Sequence, residues 1–380
     1  MSTVAPRTIR LLQLRIAPST AAPAFALRML DGSERVFGEG PTAFTLVLRG
    51  PRGASALASM DKLAVADAYV EGSLDVEGDL ERAFEIRTTL NDRHPLRFAW
   101  RFLRPLLFGR TRADAAFIAE HYDNEAEFFL KFLDTRHRCY SHGLFRHDAE
   151  PLEDAITRKL VTALDAVGAR PGDRVLDIGG GWGAMTELGG RRGIRVTSLT
   201  ISKASEDFIR ALIDRQGLPS RVLREHLMDH VPDEPYDAIV NLGVTEHLPD
   251  YPGTLRKYQS LLKPGGRIYL DASATRRKHS HSTFTETRIF PGDGSLMSLH
   301  DYLAAVAESP FQVISVHDDR HNYELTCRAW ARNLDLHRGE IERRWGSRLY
   351  RTFRLYLWGS ADAFRRDITQ AYHVVLRLPN

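Results

Sequence analysis

VLDIGGGWG, residues 175–183, is an apolar run that breaks into a glycine-rich turn. Its strand ends at Asp177 and Ile178, and Gly179, Gly181 and Gly183 follow at alternate positions. Glycine permits a tight strand-to-helix turn and lets backbone amides approach a ligand, as at the first βα turn of nucleotide-binding α/β folds. Taken alone, the turn also satisfies the dinucleotide pattern of oxidoreductases through Gly179, Gly181 and Ala184. A reader of pyrophosphate usually carries an acid about 20 residues later, at the end of the second strand. Here that strand ends Leu199-Thr200-Ile201-Ser202, and the next acid is Glu206. Outward from the turn, IRVTSLTIS (194–202), YDAIVNLG (236–243) and GGRIYLDAS (265–273) are apolar strands separated by helical stretches. That alternation implies a parallel sheet with helices on both faces.

The chain of 380 residues, 43% hydrophobic, is long enough for two or three globular units. Lys+Arg (52) and Asp+Glu (49) nearly balance, which argues against a nucleic-acid partner. Two cysteines supply neither a disulfide framework nor a metal site and suit a reducing cytoplasm. No apolar run approaches the ~20 residues of a membrane span, and MSTVAPRTIRLLQLRIAPS lacks the apolar core of a signal peptide, so a soluble or peripheral protein is expected. Residues 1–92 read as a small α+β unit. Short apolar runs alternate with turns in FALRMLDGSERVFGEG (25–40) and FTLVLRG (44–50), and a helical pattern continues through 60–87. In 93–120, Pro95 and Pro105 break an Arg-aromatic run, which reads as a connector or a membrane-facing element carrying Arg97, Trp100, Arg101, Phe102 and Arg104. Residues 121–380 form the third region.

The order of motifs resembles the cyclopropane fatty acid synthase family. HYDNEAEFFLKFLDTRHRCYSHGLF (121–145) is followed by VLDIGGGWG, VTSLTIS, YDAIVNLGVTEHLPDY, LLKPGGRIYLDAS and RIFPGDGSLMSLHDYL (288–303). The likeness runs over roughly 120–378, and ADAYVEGSLDVEGDL (66–80) looks like the N-terminal domain of longer members. The resemblance implies a doubly wound, seven-stranded class I methyltransferase (Rossmann-like) α/β sheet with helical additions around an acyl tunnel. It implies S-adenosylmethionine as cofactor. Tyr140 and Ser141 would meet its amino acid end, Asp177, Gly179, Gly181 and Gly183 the turn beneath it, Thr200 and Ile201 the ribose and adenine, and Asp229 the adenine edge. Gly180 and Ser205 stand where the family often has Cys and Gln.

An alkene is a poor nucleophile, so methyl transfer to it needs close alignment and a site that tolerates a developing cation. Family members then remove a proton, and the position of the base decides between a cyclopropane and a methyl- or methylene-branched chain. The family's base is a bicarbonate held by Cys, Glu, His and Tyr. Glu246 and Tyr323 match two of these, whereas His142 replaces the Cys and Asp271 the His. An added carboxylate disfavours a bound anion, so the expectation is that bicarbonate is displaced and that Asp271 with His142 forms an internal base. The implied substrate is an unsaturated acyl lipid met by a cytoplasmic enzyme at the inner membrane face; a homodimer stays open. A lipid-binding protein that has lost catalysis, a C-methyltransferase of a specialised metabolite and a nicotinamide-dependent oxidoreductase are the alternatives.

Overall fold

The computed structural model describes residues 23–92, 126–276, 282–290 and 295–380. The chain divides into two compact units. One takes residues to Trp100 with Ser282–Ile289 and Leu334–Asp362; the other takes Arg101–His281, Phe290–Asn333 and Ala363–Asn380.

In the first unit, β1 (Phe25–Arg28), β2 (Glu34–Phe37), β3 (Phe44–Leu48) and β4 (Leu74–Gly78) form a sheet of order β2-β1-β3-β4. Helices α1 (Pro51–Ser59) and α2 (Lys62–Val70) lie between β3 and β4 in the chain. Asp61 caps α2 by accepting from the Ala64 amide. The stacked rings of Phe25, Phe37 and Phe44 anchor the core. The helical pattern expected through 60–87 is interrupted, because LDVEG at 74–78 is a strand paired antiparallel with β3. Gly72 and Gly78, both at positive φ, bracket that strand, so the backbone leaves the helix before Leu74 and turns again after it.

The second unit holds α3 (Leu152–Val167), β5 (Arg174–Ile178), α4 (Ala184–Arg191), β6 (Arg195–Thr200), α5 (Lys203–Gln216), β7 (Arg221–Arg224), β8 (Tyr236–Leu242), α6 (Tyr251–Leu261) and β9 (Leu262–Ala274). After these come α7 (Leu299–Ala307), β10 (Gln312–Asp318), α8 (Arg320–Leu336) and β11 (Gln370–Arg377). The sheet order is β10-β11-β9-β8-β5-β6-β7. Strands β9 to β7 are mutually parallel, and β11 runs antiparallel to both β9 and β10. Seven strands and the doubly wound order agree with the expected class I methyltransferase sheet. Caps set the helix ends: the Ser202 hydroxyl accepts from the Ser205 amide, and Asp250 from that of Gly253. Val175, Leu176, Ile239, Val240, Ile268 and Leu270 are excluded from solvent, as continuous apolar runs in a sheet covered on both faces must be. The chain reverses direction across the sheet between β5 and β8, so their carboxyl ends flank the crevice where open α/β sheets bind ligands.

Candidate active site

A pocket opens at the carboxyl ends of β5, β6 and β8. Tyr140, Ser141, Asp177, Gly179, Gly181, Thr200 and Ile201 line it, all of them expected from the sequence. Gly183 stands just outside the wall as the N-cap of α4, at φ 79°. Asp229 is not brought to the wall: it is exposed, and Glu225, His226 and Leu227 line that side instead. The difference arises because β7 ends at Arg224, which leaves the residues immediately after the strand facing the crevice.

Two glycines shape the cradle. Gly179 has φ +75°, and a Cβ there would meet Val244 Cγ2 at 2.3 Å. Gly181 has φ +52°, and its nearest obstacle is the Gly179 carbonyl oxygen at 3.8 Å, so a side chain would project into open pocket space. Backbone bare on the ligand side, at the start of α4, suits close approach of a cofactor such as S-adenosylmethionine. Asp177 Oδ2 accepts from Ser198 Oγ at 2.8 Å, and burial pushes its carboxyl up to about 6. His247, on the same wall, is pushed down to about 4 by burial.

Behind Ser141 lies a polar cluster closed to water. Lys159 on α3 is fully buried. Its Nζ donates to Ser141 Oγ at 2.5 Å, reaches Cys139 Sγ at 3.3 Å and stands 3.4 Å from Asp271 Oδ2, also fully buried. Burial alone would lower this ammonium; Cys139 and Asp271 more than offset that and hold it above the ordinary lysine range. The expected pairing of Asp271 with His142 is therefore not what forms. Asp271 has Lys159 as its cation, and His142 Nε2 lies 3.1 Å from Asp319 Oδ2. A buried carboxylate takes the nearest fixed ammonium, and α3 delivers one from below the sheet end.

Lys159 was missed because it looks like any helical lysine, yet a signal existed. Leu152, Ala155, Ile156, Leu160, Ala163, Leu164 and Val167 are the buried stripe of α3, and position 159 falls on that same face. Asp319 lies between β10 and α8, where no periodicity marks it.

Glu246 sits in the short turn after β8, with Oε1 accepting from the Ser273 amide at 2.7 Å. Its Oε2 and Asp271 Oδ1 are closed to solvent, with no hydrogen-bond partner among the described residues. Burial, with Asp271 adding to it, pushes Glu246 up to about 7. Tyr323 on α8 places its ring 4.8 Å from that of His142 and stacks on Phe364 at 4.5 Å. Tyr140 packs against Phe129, Phe132 and Trp330, which makes one side of the site an aromatic wall.

Three outcomes follow. Gly181→Val should abolish S-adenosylmethionine binding in calorimetry while leaving the circular dichroism spectrum unchanged; retained affinity would remove the cradle assignment. Lys159→Met strips buried Asp271 of its counter-ion, and should cost about 3–5 kcal/mol in urea unfolding. A carboxyl whose folded pKa is raised stabilises the fold fully below its unfolded value of 4.5 and loses that contribution as pH rises through about 7. Glu246→Gln should therefore flatten the fall in stability between those values by up to roughly 3 kcal/mol, read from denaturant midpoints across the range.

With this geometry in place, similarity to known proteins is informative. Residues 109–374 match the family model of mycolic acid cyclopropane synthetase. The chain is 29% identical to the probable fatty acid methyltransferase Rv3720 of Mycobacterium tuberculosis, over 95% of this chain and 93% of that protein. It is 31% identical to cyclopropane mycolic acid synthase 2 of Mycobacterium bovis, over 68% of this chain and 93% of that one. Among solved structures, mycolic acid cyclopropane synthase CmaA1 complexed with SAH and CTAB superposes with a TM-score of 0.65 at 27% identity, covering 69% of this chain and 98% of that one. A glycine cradle at the switch point of a seven-stranded sheet, a family model spanning most of that unit and a relative above 30% identity agree: the chain belongs to the mycolic acid cyclopropane synthetase family.

Proposed function

We propose that the protein methylates the double bond of an unsaturated acyl chain in a lipid, a phospholipid of the membrane surface being the substrate, and yields a cyclopropane or a methyl- or methylene-branched chain. The observation that carries this reading is the double role of Ser141. It lines the cofactor cradle, and its hydroxyl is held by the buried Lys159 cluster that contains Asp271. The cofactor space thus adjoins a dry site of acids and aromatic rings, which is what an alkene carrying a developing cation requires.

S-adenosylmethionine supplies, when bound, an electrophilic methyl group on a sulfonium. The chain's own groups do the rest. Tyr140, with Trp330 beside it, offers ring faces that stabilise positive charge without capturing it. Burial of the cluster excludes water, which would otherwise quench a carbon cation. We assign removal of the proton to a side chain of the protein rather than to dissolved bicarbonate. The ammonium of Lys159 is already matched by Asp271, so the cluster offers an added anion no uncommitted cation.

The relatives named as fatty acid methyltransferase and cyclopropane mycolic acid synthase support an acyl substrate. Among the described residues no helix is long and apolar enough to cross a membrane. Contact with the inner face of the bilayer is assigned to the Arg-aromatic run at 97–104, which lies outside the described residues; a homodimer is compatible with the reading and not required by it.

The test is direct. Protein incubated with methyl-labelled S-adenosylmethionine and vesicles of unsaturated phospholipid should place label in the acyl chains, read by mass spectrometry, and should do so undiminished in degassed, bicarbonate-free buffer. Cofactor binding without labelled lipid would sink the assignment of substrate. Strong stimulation by added bicarbonate would show that the proton acceptor is recruited from solution.

A further inference from the structure

His142 heads a second buried cluster, separate from the Lys159 group. The residue is fully enclosed, and its Nδ1 has no hydrogen-bond partner among the described residues. Its Nε2 lies 3.1 Å from Asp319 Oδ2, an ion-pair distance at an angle that falls short of a hydrogen bond. Such contacts commonly tighten only when the site is charged or filled.

Asp319 is held on every side. Its amide donates to the Ala371 carbonyl, its Oδ1 accepts from Asn322 Nδ2 at 3.1 Å, and its Oδ2 also meets His373 Nδ1 at 2.5 Å. Helix α8 pins the segment that carries His142 as well: Thr326 Oγ1 accepts from the Gly143 amide at 3.0 Å, and Asn322 Oδ1 from that of Phe145 at 2.8 Å. Burial would raise the Asp319 carboxyl, but His142 and His373 more than offset it and hold the group far below the usual carboxylate range.

We propose that His142 removes the proton from the methylated acyl chain, with Asp319 and His373 as positioning residues that fix its ring and stabilise the imidazolium. This rests on the acyl methylation proposed above. Asp271 suits the task less, because protonating it would strip buried Lys159 of its counter-ion. A carboxylate behind an imidazole, by contrast, stabilises the charge that appears there.

The step balances without a co-reactant. For a ring, a C–H bond of the added methyl group breaks and its electron pair bonds to the cationic carbon. For a branched alkene, a C–H bond on a carbon adjacent to the cation breaks and its pair forms the double bond. In both cases the proton passes to His142 Nδ1, to be returned later to water. The groups facing the pair are Tyr323 from α8, His373 from β11 and, around His373, Tyr269 from β9 and His317 from β10.

The labelled-lipid assay with the unchanged protein comes first; no product overturns the reading and this inference together. Given product, Asp319→Asn should lower kcat by about 10²-fold or more with unchanged KM for S-adenosylmethionine, and the acid limb of its kcat profile should move to lower pH. His373→Gln should lower kcat less. His142→Gly should bind S-adenosylmethionine in calorimetry, lose turnover and regain it with added imidazole. If His142→Gly does not fold, the Asp319→Asn profile decides. Full kcat with an unshifted profile in Asp319→Asn, or restoration of His142→Gly by bicarbonate and not by imidazole, would overturn the inference while leaving acyl methylation intact.

Discussion

A lysine ammonium with no access to water is the constraint around which the catalytic unit is arranged. Moving such an ion out of solvent costs several kcal/mol after relaxation, and only close opposite charge and hydrogen bonds offset it. Lys159 finds these in three places: the hydroxyl of Ser141, the sulfur of Cys139 and the carboxylate of Asp271. Those partners come from the segment before α3 and from β9, so one charge fastens a loop, a helix and a strand to each other. The wall of the pocket at the strand ends inherits its position from that arrangement, because Tyr140 and Ser141 lie within the fastened loop.

The two buried clusters divide the electrostatic work. Lys159 and Asp271 are mutually neutralised and hold shape. His142, Asp319 and His373 put two imidazoles on one carboxylate oxygen and leave His142 Nδ1 without a partner among the described residues. Glu246, nudged toward neutrality by burial and by Asp271, avoids placing a second full negative charge beside the first. Tyr269 stands between the clusters; burial, then Asp271, Asp319 and Cys139, push its hydroxyl well above the ordinary range, which keeps it protonated.

The sheet and cofactor turn were legible in sequence because both rest on local rules. Apolar runs ending in Gly179, Gly181 and Gly183 state where the strand stops and the backbone must be bare, whereas Tyr140, Ser141, Thr200 and Ile201 on the pocket wall were named only through the family resemblance. What sequence did not convey was pairing at a distance. Asp271 with His142 was a reasonable guess from two substitutions, but each found its partner on an element far away in the chain, Lys159 on α3 and Asp319 before α8. Asp229 stays off the pocket wall for a smaller reason: where β7 ends decides which acid lines it. The strand at 74–78 was hidden because Leu74 and Val76, though alternate, also continue i+4 spacings with Val70 and Leu80 on either side, and pairing with β3 decides for the strand.

Strand β11 is the last of the described strands in the chain, yet lies between β10 and β9 in the sheet. During synthesis, β9 and β10 therefore emerge as neighbours in sequence that must wait, each with an unpaired edge, until residues 370–377 arrive to join them. His373 travels on that strand, so Asp319 gains its second imidazole only at this late stage. The glycine turn is thus complete in the chain long before the residues that surround Asp319 are all present. The same topology implies that loss of residues 370–377 leaves the Gly179–Gly183 turn in place while stripping Asp319 of His373 and parting β9 from β10.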